Sequence, residues 1–465
     1  MRDEFWKLSN TLILPLLAGL SACSIPTGLE GQPDADSDAS TEKTVPVETW
    51  QLDNGARVLH VHRPELPMVS MSVIFRAGSS RDPADKPGVS ALAARLLDQG
   101  AGGLSADEMA RRLDERGLRF GAGNGRDQLS VSITSLTGEG TTRAGWNLLT
   151  RTLTEPAFPE EGLQRERGRL LMAIRRSKER PGAVAGRAFY EAIYDEHPYA
   201  RPTVGTPKGL KRVERTDLER FAERYFVGNN AVVAVVGALD RATVERRLEA
   251  SIGQLPAGEA PAPLPEVAAR QESREIFIEK DVEQSRILTG QLAIRRSDED
   301  YLPLMMGNHT LGGSGLTSRL MEVIREEHGL AYSVSSSFSL MLRRGPFVAG
   351  LQTANENVGQ ALGLLREEVG RFLSEGPTEE ELAFARRHIT GSYPLRLDSN
   401  GDLRSRLATI GFHQLGADYL DGYRERVRTV EPAAVRLALR EHLDAEAMVT
   451  VIVGPERPAG FGEAD

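Results

Sequence analysis

The feature that most constrains the fold is an internal repeat, with a period of roughly 200 residues. From Glu48 the sequence predicts two strands joined by an Asn-Gly turn, a third strand, helices, two more strands, further helices and a final strand, NAVVAVVGAL. A similar order recurs from Arg274 and ends on the strand AMVTVIVGP. This period is too long for a solenoid. It predicts an α+β protein of two duplicated domains, each a mostly antiparallel sheet packed with helices.

The repeat also predicts where the domains begin and end. We place an N-terminal domain at 47–254 and a C-terminal domain at 274–456, followed by a tail at 457–465. Between them 255–273, LPAGEAPAPLPEVAARQES, is rich in Pro and Ala and is predicted to be a linker. Hydrophobic residues make up 40% of the chain and charged residues 26%, which is typical of soluble globular proteins. The net charge of -9 argues against nucleic acid as a partner.

The N-terminal segment predicts export and a membrane anchor. The apolar run TLILPLLAGL is too short to span a bilayer and suits the core of a signal peptide, placed at 1–22. Leu20-Ser21-Ala22-Cys23 resembles the bacterial lipoprotein box, which makes Cys23, the only cysteine, a candidate for lipidation. An ordinary secretory signal with an incidental cysteine is the alternative. The polar, acidic stretch 23–46 is predicted to be a flexible tether. We therefore expect a lipid-anchored protein on the periplasmic side of the cell envelope, with the outer membrane slightly preferred.

A stretch near the start of the first copy resembles an active-site helix without its chemistry. FRAGSSRDPADKPGVSALAARLL predicts a strand, a turn and a helix that begins near Gly88. Leu92, Leu96 and Leu97 would form an apolar stripe that faces the sheet. With its flanks, the repeat and the linker, this stretch resembles the pitrilysin/insulinase family of zinc metallopeptidases, in the short two-domain form of the mitochondrial processing peptidase and its bacterial relatives. The resemblance covers about 47–455.

The resemblance breaks at the metal ligands. Active members carry H-x-x-E-H on this helix, in which two histidines one turn apart bind zinc and the glutamate activates the bound water. Aligned from Gly88, those places are held by Ala91, Ala94 and Arg95, and the place of the third ligand by Ala173. Alanine has no lone pair to donate and arginine is a permanent cation. The resemblance therefore implies a chain that binds no zinc and is inactive alone, with zinc expected on a partner subunit.

The second copy keeps a segment that resembles the family's substrate-binding region. IREEHGLAYSV contains Arg325 and Tyr332, at the spacing of an Arg and a Tyr that in the family reach across to the zinc site. The resemblance implies that they bind the substrate backbone and stabilise the developing oxyanion, a role that suits two hydrogen-bond donors. The alternative is an arginine in a charged helix end and a tyrosine that begins a strand.

The stretch LGGSGLTSRL resembles the family's glycine-rich loop. Gly312, Gly313 and Gly315 are its glycines, and the resemblance implies a part in substrate handling. A helix C-cap followed by a turn into the next helix explains the same residues equally well.

Other chemistries find little support in the sequence. His60 and His62 alternate on one strand and are predicted to lie on a solvent-facing edge, because no third ligand is recognisable nearby. Glu326, Glu327 and His328 are predicted to form a charged helix end. The glycines of GAGNGR lie between two strands, which predicts a turn and not a dinucleotide-binding loop.

Three functions remain open. The first is a non-catalytic subunit that forms a heterodimer with a zinc-bearing subunit and supplies Arg325 and Tyr332 for hydrolysis of unfolded peptides. The second is a pseudopeptidase that acts as a binding or scaffold lipoprotein. The third, an active peptidase with a relocated metal site, has the least support. The sequence does not decide whether the partner is a separate chain or a second copy.

Overall fold

The computed structural model describes residues 45–268 and 272–462 and contains two large sheets. The first has six strands in the order β1-β2-β8-β3-β7-β6, antiparallel except for the pair β2–β8. A short hairpin, β4–β5, follows the first helix. The strands of the first half are β1 Glu48–Gln51, β2 Arg57–His62, β3 Met68–Phe75, β4 Gly100–Ala101, β5 Leu104–Ser105, β6 Arg119–Asn124, β7 Leu129–Leu136 and β8 Ala231–Gly237.

The second sheet has five strands in the order β11-β12-β10-β13-β9. Only β13 and β9 are parallel. Read from its other edge, this order repeats that of the first sheet, with β9 and β13 in the places of β2 and β8. The five strands are β9 Arg274–Glu279, β10 Gln284–Leu292, β11 Ala331–Phe338, β12 Pro346–Ala354 and β13 Val449–Gly454. The shared topology confirms the predicted duplication and the α+β fold class.

Helices occupy the segments between the strands. Two further segments with π-type hydrogen bonding, His309–Gly313 and Met321–Glu327, follow the first helix of the second half. The α-helices are α1 Val89–Leu96, α2 Ala106–Glu115, α3 Glu139–Thr154, α4 Glu160–Ser177, α5 Pro181–Tyr194, α6 Pro207–Arg212, α7 Arg215–Tyr225, α8 Arg241–Glu249, α9 Tyr301–Asn308, α10 Val358–Glu375, α11 Glu379–Ser392, α12 Asn400–Phe412, α13 Tyr423–Arg428 and α14 Pro432–His442.

Each sheet buries one face under helices of its own half. In the first half Leu92, Leu96 and Leu97 belong to the core beneath β3, β7 and β8, as their spacing predicts. In the second half the corresponding core lies between the sheet and α9, α10, α11 and α14. Both cores arise because alternate side chains of a strand point to opposite faces of the sheet.

The other face of each sheet is covered by a helix from the opposite half. Helix α12 places Leu403, Leu407 and Ile410 on β2 and β8. Helix α5 places Phe189 and Ile193 on β10 and β13. Neither helix is predicted by the sequence pattern. The two halves therefore complete each other's cores and do not merely lie side by side.

Polar contacts also join the halves. The buried carboxylate of Asp127 accepts hydrogen bonds from the Tyr199 hydroxyl and from the amide of Leu342, the latter at 2.9 Å. Burial raises the pKa of Asp127 above its usual value. The hydroxyl of Tyr194, on α5, donates to the carbonyl of Arg344 at 2.9 Å. The Tyr194 bond ties α5 to the second half, and the Asp127 bond to Leu342 is a second polar link between the halves.

Several predictions from the sequence concern residues that lie outside the described ranges. The signal peptide, Cys23 and nearly all of the tether precede residue 45 and lie outside the described residues. Among the described helices, none combines the length and apolar character needed to cross a membrane. The boundaries proposed for the two domains and the linker stay predictions.

Candidate functional site

The degenerate site begins with the turn that starts α1. The carboxylate of Asp82 accepts hydrogen bonds from the amides of Gly88, at 2.7 Å, and Ser90, at 2.8 Å. It therefore satisfies two amides at the N-terminal end of α1, which have no partner within the helix. Burial raises the pKa of Asp82 to about 6, although these two hydrogen bonds act in the opposite direction. Asp82 thus fixes the start of the helix.

Two of the lost ligand positions face the protein interior. The side chains of Ala91 and Ala94 are 1% and 5% exposed and belong to the core of the first half. A larger side chain at either position would have to displace close-packed neighbours. The methyl groups therefore act here as packing groups, and α1 keeps its place in the core without its chemistry.

Arg95 points outward and forms an ion pair with a residue of α4. Its Nη1 lies 3.6 Å from Oε2 of Glu166, whose side chain is only 4% exposed. Arg169 approaches the same carboxylate at 2.6 Å and Arg165 at 3.9 Å. We call these four residues the Arg95–Glu166 cluster. Buried carboxylates of this kind are stable when paired and hydrogen-bonded, as this one is.

Sequence reasoning missed Glu166, although a signal for it was present. It shares the buried stripe of α4 with Leu163, Leu170 and Ile174. A charged residue on an apolar stripe is rarely buried unless it is paired. The spacing thus indicates a buried carboxylate with a cationic partner on a neighbouring element.

Zinc does not fit the residues at this site. Ala91 and Ala94 offer no ligand atom, Arg95 is a cation, and Ala173 is an exposed residue of α4 two turns beyond Glu166. The carboxylate that remains at this site is that of Glu166, and arginines surround it. Among the described residues, one group of His, Cys, Asp or Glu has three ligand atoms close enough to share a metal: Asp300, Glu441 and His442. That group lies at the ends of α9 and α14 in the second half.

Arg325 and Tyr332 lie together on the surface of the second half. The guanidinium carbon of Arg325 is 5.1 Å from the centre of the Tyr332 ring, within the range of a cation–π contact. The side chain of Arg325 is 32% exposed, and Tyr332 is 85% exposed. The only carboxylate within 4.0 Å of Arg325 among the described residues is that of Glu326, itself largely exposed. Both donors therefore remain accessible to a ligand.

An irregularity in the edge strand β11 presents Tyr332 to solvent. Ala331 pairs with Thr353 and Val334 with Leu351, so one extra residue is inserted into β11 at this point. Ala331 and Val334 are buried, while Tyr332 and Ser333 both point outward. A bulge of this kind breaks the alternation of a strand and redirects a side chain. The exposure of so large an aromatic residue is thus built into the strand.

The three glycines of the glycine-rich segment have different surroundings. A Cβ on Gly312 would lie 2.5 Å from the amide of Ser336, and one on Gly313 would lie 2.7 Å from the Asn308 amide nitrogen. Close packing explains why both positions are occupied by glycine. Gly315 has φ +68° and open space around it, so it meets a backbone requirement at an exposed position. A part for these glycines in substrate handling stays a prediction.

The structure corrects one prediction about histidine. His60 is fully buried, not solvent-facing, and hydrogen-bonds the Glu48 carboxylate and the Leu239 carbonyl, each at 3.0 Å. The edge strand β1 covers it, which the alternation of β2 alone does not reveal. His328 is confirmed as part of an exposed helix end.

The structure also pairs two histidines that the sequence does not connect. His309 and His388 share a hydrogen bond of 2.8 Å between their rings, beside the glycine-rich segment. Burial lowers the pKa of His309 to about 4.

Comparison with known proteins agrees with the fold and with the missing ligands. The family described as insulinase (peptidase family M16) matches residues 57–207, and the peptidase M16 inactive domain matches residues 212–389. A solved structure described as a peptidase M16 inactive domain from Pseudomonas fluorescens has a TM-score of 0.85 and 33% identity, covering 89% of this chain and 98% of that one.

Curated relatives divide between two descriptions. A "non-peptidase homolog YmxG" from Helicobacter pylori is 28% identical over 379 residues, covering 79% of this chain and 84% of the relative. An "uncharacterized zinc protease" from Streptomyces coelicolor is 25% identical over 410 residues, covering 87% of this chain and 88% of the relative. The chain belongs to the pitrilysin/insulinase family, peptidase family M16. Within that family it is a member of the inactive, non-peptidase type, without the zinc ligands.

Proposed function

We propose that this chain is the non-catalytic subunit of a cell-envelope zinc metallopeptidase. It would form a heterodimer with a subunit that bears H-x-x-E-H and zinc, and would supply Arg325 and Tyr332 to that subunit's site. The observation that carries the proposal is the surface of the second half, where both side chains are accessible and held together. The degenerate first half, whose described residues contain no group of three potential metal ligands, supports the same division of labour.

The chemistry of the pair suits hydrolysis of a peptide bond. When the carbonyl carbon is attacked, negative charge develops on the carbonyl oxygen. A guanidinium and a phenol can both donate hydrogen bonds to that oxygen or to the neighbouring backbone. The zinc and the water-activating glutamate belong to the partner in this proposal. An extended, unfolded peptide is the expected substrate, since these two groups recognise backbone and no particular side chain.

Localisation is part of the same proposal. A lipid on Cys23 would hold the chain on the periplasmic side of a membrane, with the outer membrane slightly preferred. The acidic stretch predicted as a tether at 23–46 would keep the two domains away from the lipid surface.

The test is turnover of a quenched, unstructured peptide by the mixture of both subunits. Arg325→Ala should lower kcat about 10- to 100-fold while the complex still assembles, because a donor used in the transition state is lost. Tyr332→Phe, which removes only the hydroxyl, should give a smaller loss of kcat. Arg241→Ala is the matched control, since Arg241 is 36% exposed and also lies over an aromatic ring, that of Trp50. Unchanged turnover in both site variants would favour a binding or scaffold protein.

A further inference from the structure

We propose that the Arg95–Glu166 cluster is a binding site for a peptide carboxylate. It would hold a chain terminus or an acidic side chain against the first half of this protein. The proposal deepens the function above by naming a chemical feature of the peptide, but it concerns this chain alone. It can therefore be tested without the partner subunit.

The cluster carries an excess of positive charge. Three guanidiniums, those of Arg95, Arg165 and Arg169, lie within 4.0 Å of the single carboxylate of Glu166. One buried carboxylate cannot neutralise this group. The cluster is therefore cationic in a chain whose net charge is -9.

Arg169 and Arg95 contact the Glu166 carboxylate unequally. Arg169 donates a hydrogen bond to Oε1 at 2.6 Å, whereas the nearest approach of Arg95 is from Nη1 to Oε2 at 3.6 Å, beyond hydrogen-bond distance. The Arg95 side chain is 48% exposed, so about half of its surface is accessible to a ligand. A guanidinium binds carboxylates best through two parallel hydrogen bonds, and Arg95 has this capacity left.

The backbone of Arg95 is held in a fixed position. Its helix begins on the buried Asp82 carboxylate and packs through Ala91 and Ala94 into the core. The pairing with Glu166 restrains the side chain from the other side. A preorganised guanidinium loses less conformational entropy on binding than a free surface arginine.

Neighbouring acidic residues do not neutralise the positive charge of the cluster. Asp98, Asp107 and Glu161 line an adjacent cavity of about 660 Å³ together with Arg165. They therefore offset part of the charge of Arg165. Among the described residues, no carboxylate other than Glu166 lies within 4.0 Å of Arg95 or Arg169.

The test uses the full chain alone and a fluorescent, unstructured peptide in three forms. The first form has a free C-terminal carboxylate, the second a C-terminal amide, and the third the amide with one internal glutamate. Fluorescence anisotropy should show binding of the first form and about tenfold weaker binding of the second, equivalent to about 1.4 kcal/mol. If the third form binds as strongly as the first, the site accepts the carboxylate of an acidic side chain. If the third form binds weakly, the site requires the carboxylate of a chain terminus.

Variants of Arg95 then test whether the peptide carboxylate binds at that residue. Arg95→Gln should weaken binding about tenfold, and Arg95→Lys should weaken it less, because the charge stays while the paired hydrogen bonds are lost. Arg187→Gln is the matched control, since Arg187 is 45% exposed and also has one described carboxylate partner. A thermal unfolding curve for each variant shows that it is folded. Equal affinity for the acid and amide peptides, or wild-type affinity in Arg95→Gln, would overturn the proposal, and neither result would bear on activity in the two-subunit mixture.

Discussion

Single residues decide what the first half can do. Arg95 occupies a place where the family uses a metal ligand, and Glu166 turns that place into a buried ion-pair cluster. The sequence was sufficient to identify the lost ligands, because alanine and arginine have no chemistry that binds zinc. It was not sufficient to show that a carboxylate of α4 had become the partner of Arg95. That contact depends on how α1 and α4 pack, which spacing within either helix does not determine.

The glycine-rich segment gives a prediction at the same scale. Gly312→Ala should lower the free energy of unfolding by about 2–3 kcal/mol, because its Cβ would meet the backbone of β11. Gly315→Ala should cost about 1 kcal/mol, since only its positive φ opposes a side chain there. Urea unfolding of both variants measures the difference. A Gly312→Ala protein as stable as the wild type would show that β11 does not pack on this segment as described.

At the scale of elements, the two crossing helices bind the halves together. Helix α12 covers β2 and β8 of the first half, and α5 covers β10 and β13 of the second. A fragment of residues 47–254 would therefore expose one face of its sheet and the apolar side of α5. We expect this fragment, expressed alone, to aggregate or to lack cooperative unfolding. Expressed together with the fragment 274–456, it should form a soluble complex.

Circular dichroism and light scattering of the separate and combined fragments check this expectation. The control is the intact chain cut once within the linker. This control contains every helix. A monomeric 47–254 fragment that unfolds cooperatively would contradict the account of the crossing helices.

The same elements mark the limit of prediction from sequence. Strands and the remaining long helices follow from alternation, helical spacing and turn residues, and the duplication follows from their order. Helices α5 and α12 were missed because their sequences, PGAVAGRAFYEAIY and NGDLRSRLATIGF, carry glycines that weaken the helical signal. Their stability comes from packing on the opposite half, which is tertiary information.

For the whole molecule, buried titratable groups predict loss of stability in acid. Burial lowers the pKa of both His309 and His413 to about 4, below the value of about 6.5 in an unfolded chain. The stability that they contribute is present above pH 6.5 and is lost as the pH falls toward 4. Asp82, with its pKa raised to about 6, acts in the opposite direction, since its contribution is lost as the pH rises. Burial also lowers the pKa of two further described histidines and raises that of one further aspartate, so that histidines outnumber aspartates four to two and a net decline is predicted; these further groups are His60, His197 and Asp127.

Thermal unfolding between pH 7 and pH 4 measures this decline. His413→Gln should make the melting temperature less dependent on pH over this range. His328→Gln, at an exposed helix end, is the control and should leave the dependence unchanged. An identical pH dependence in the wild type and in His413→Gln would contradict the assignment.

The central claim, that this chain completes a zinc peptidase in trans, is tested most directly by titrating a fixed amount of the H-x-x-E-H subunit with this chain. The readout is hydrolysis of the quenched peptide, with zinc measured in the purified complex. We predict little activity in either subunit alone, a maximum at a one-to-one ratio, and a single zinc per pair, carried by the partner. Full activity of the partner alone, unchanged at every ratio, would contradict the claim and leave a binding protein on a peptidase fold.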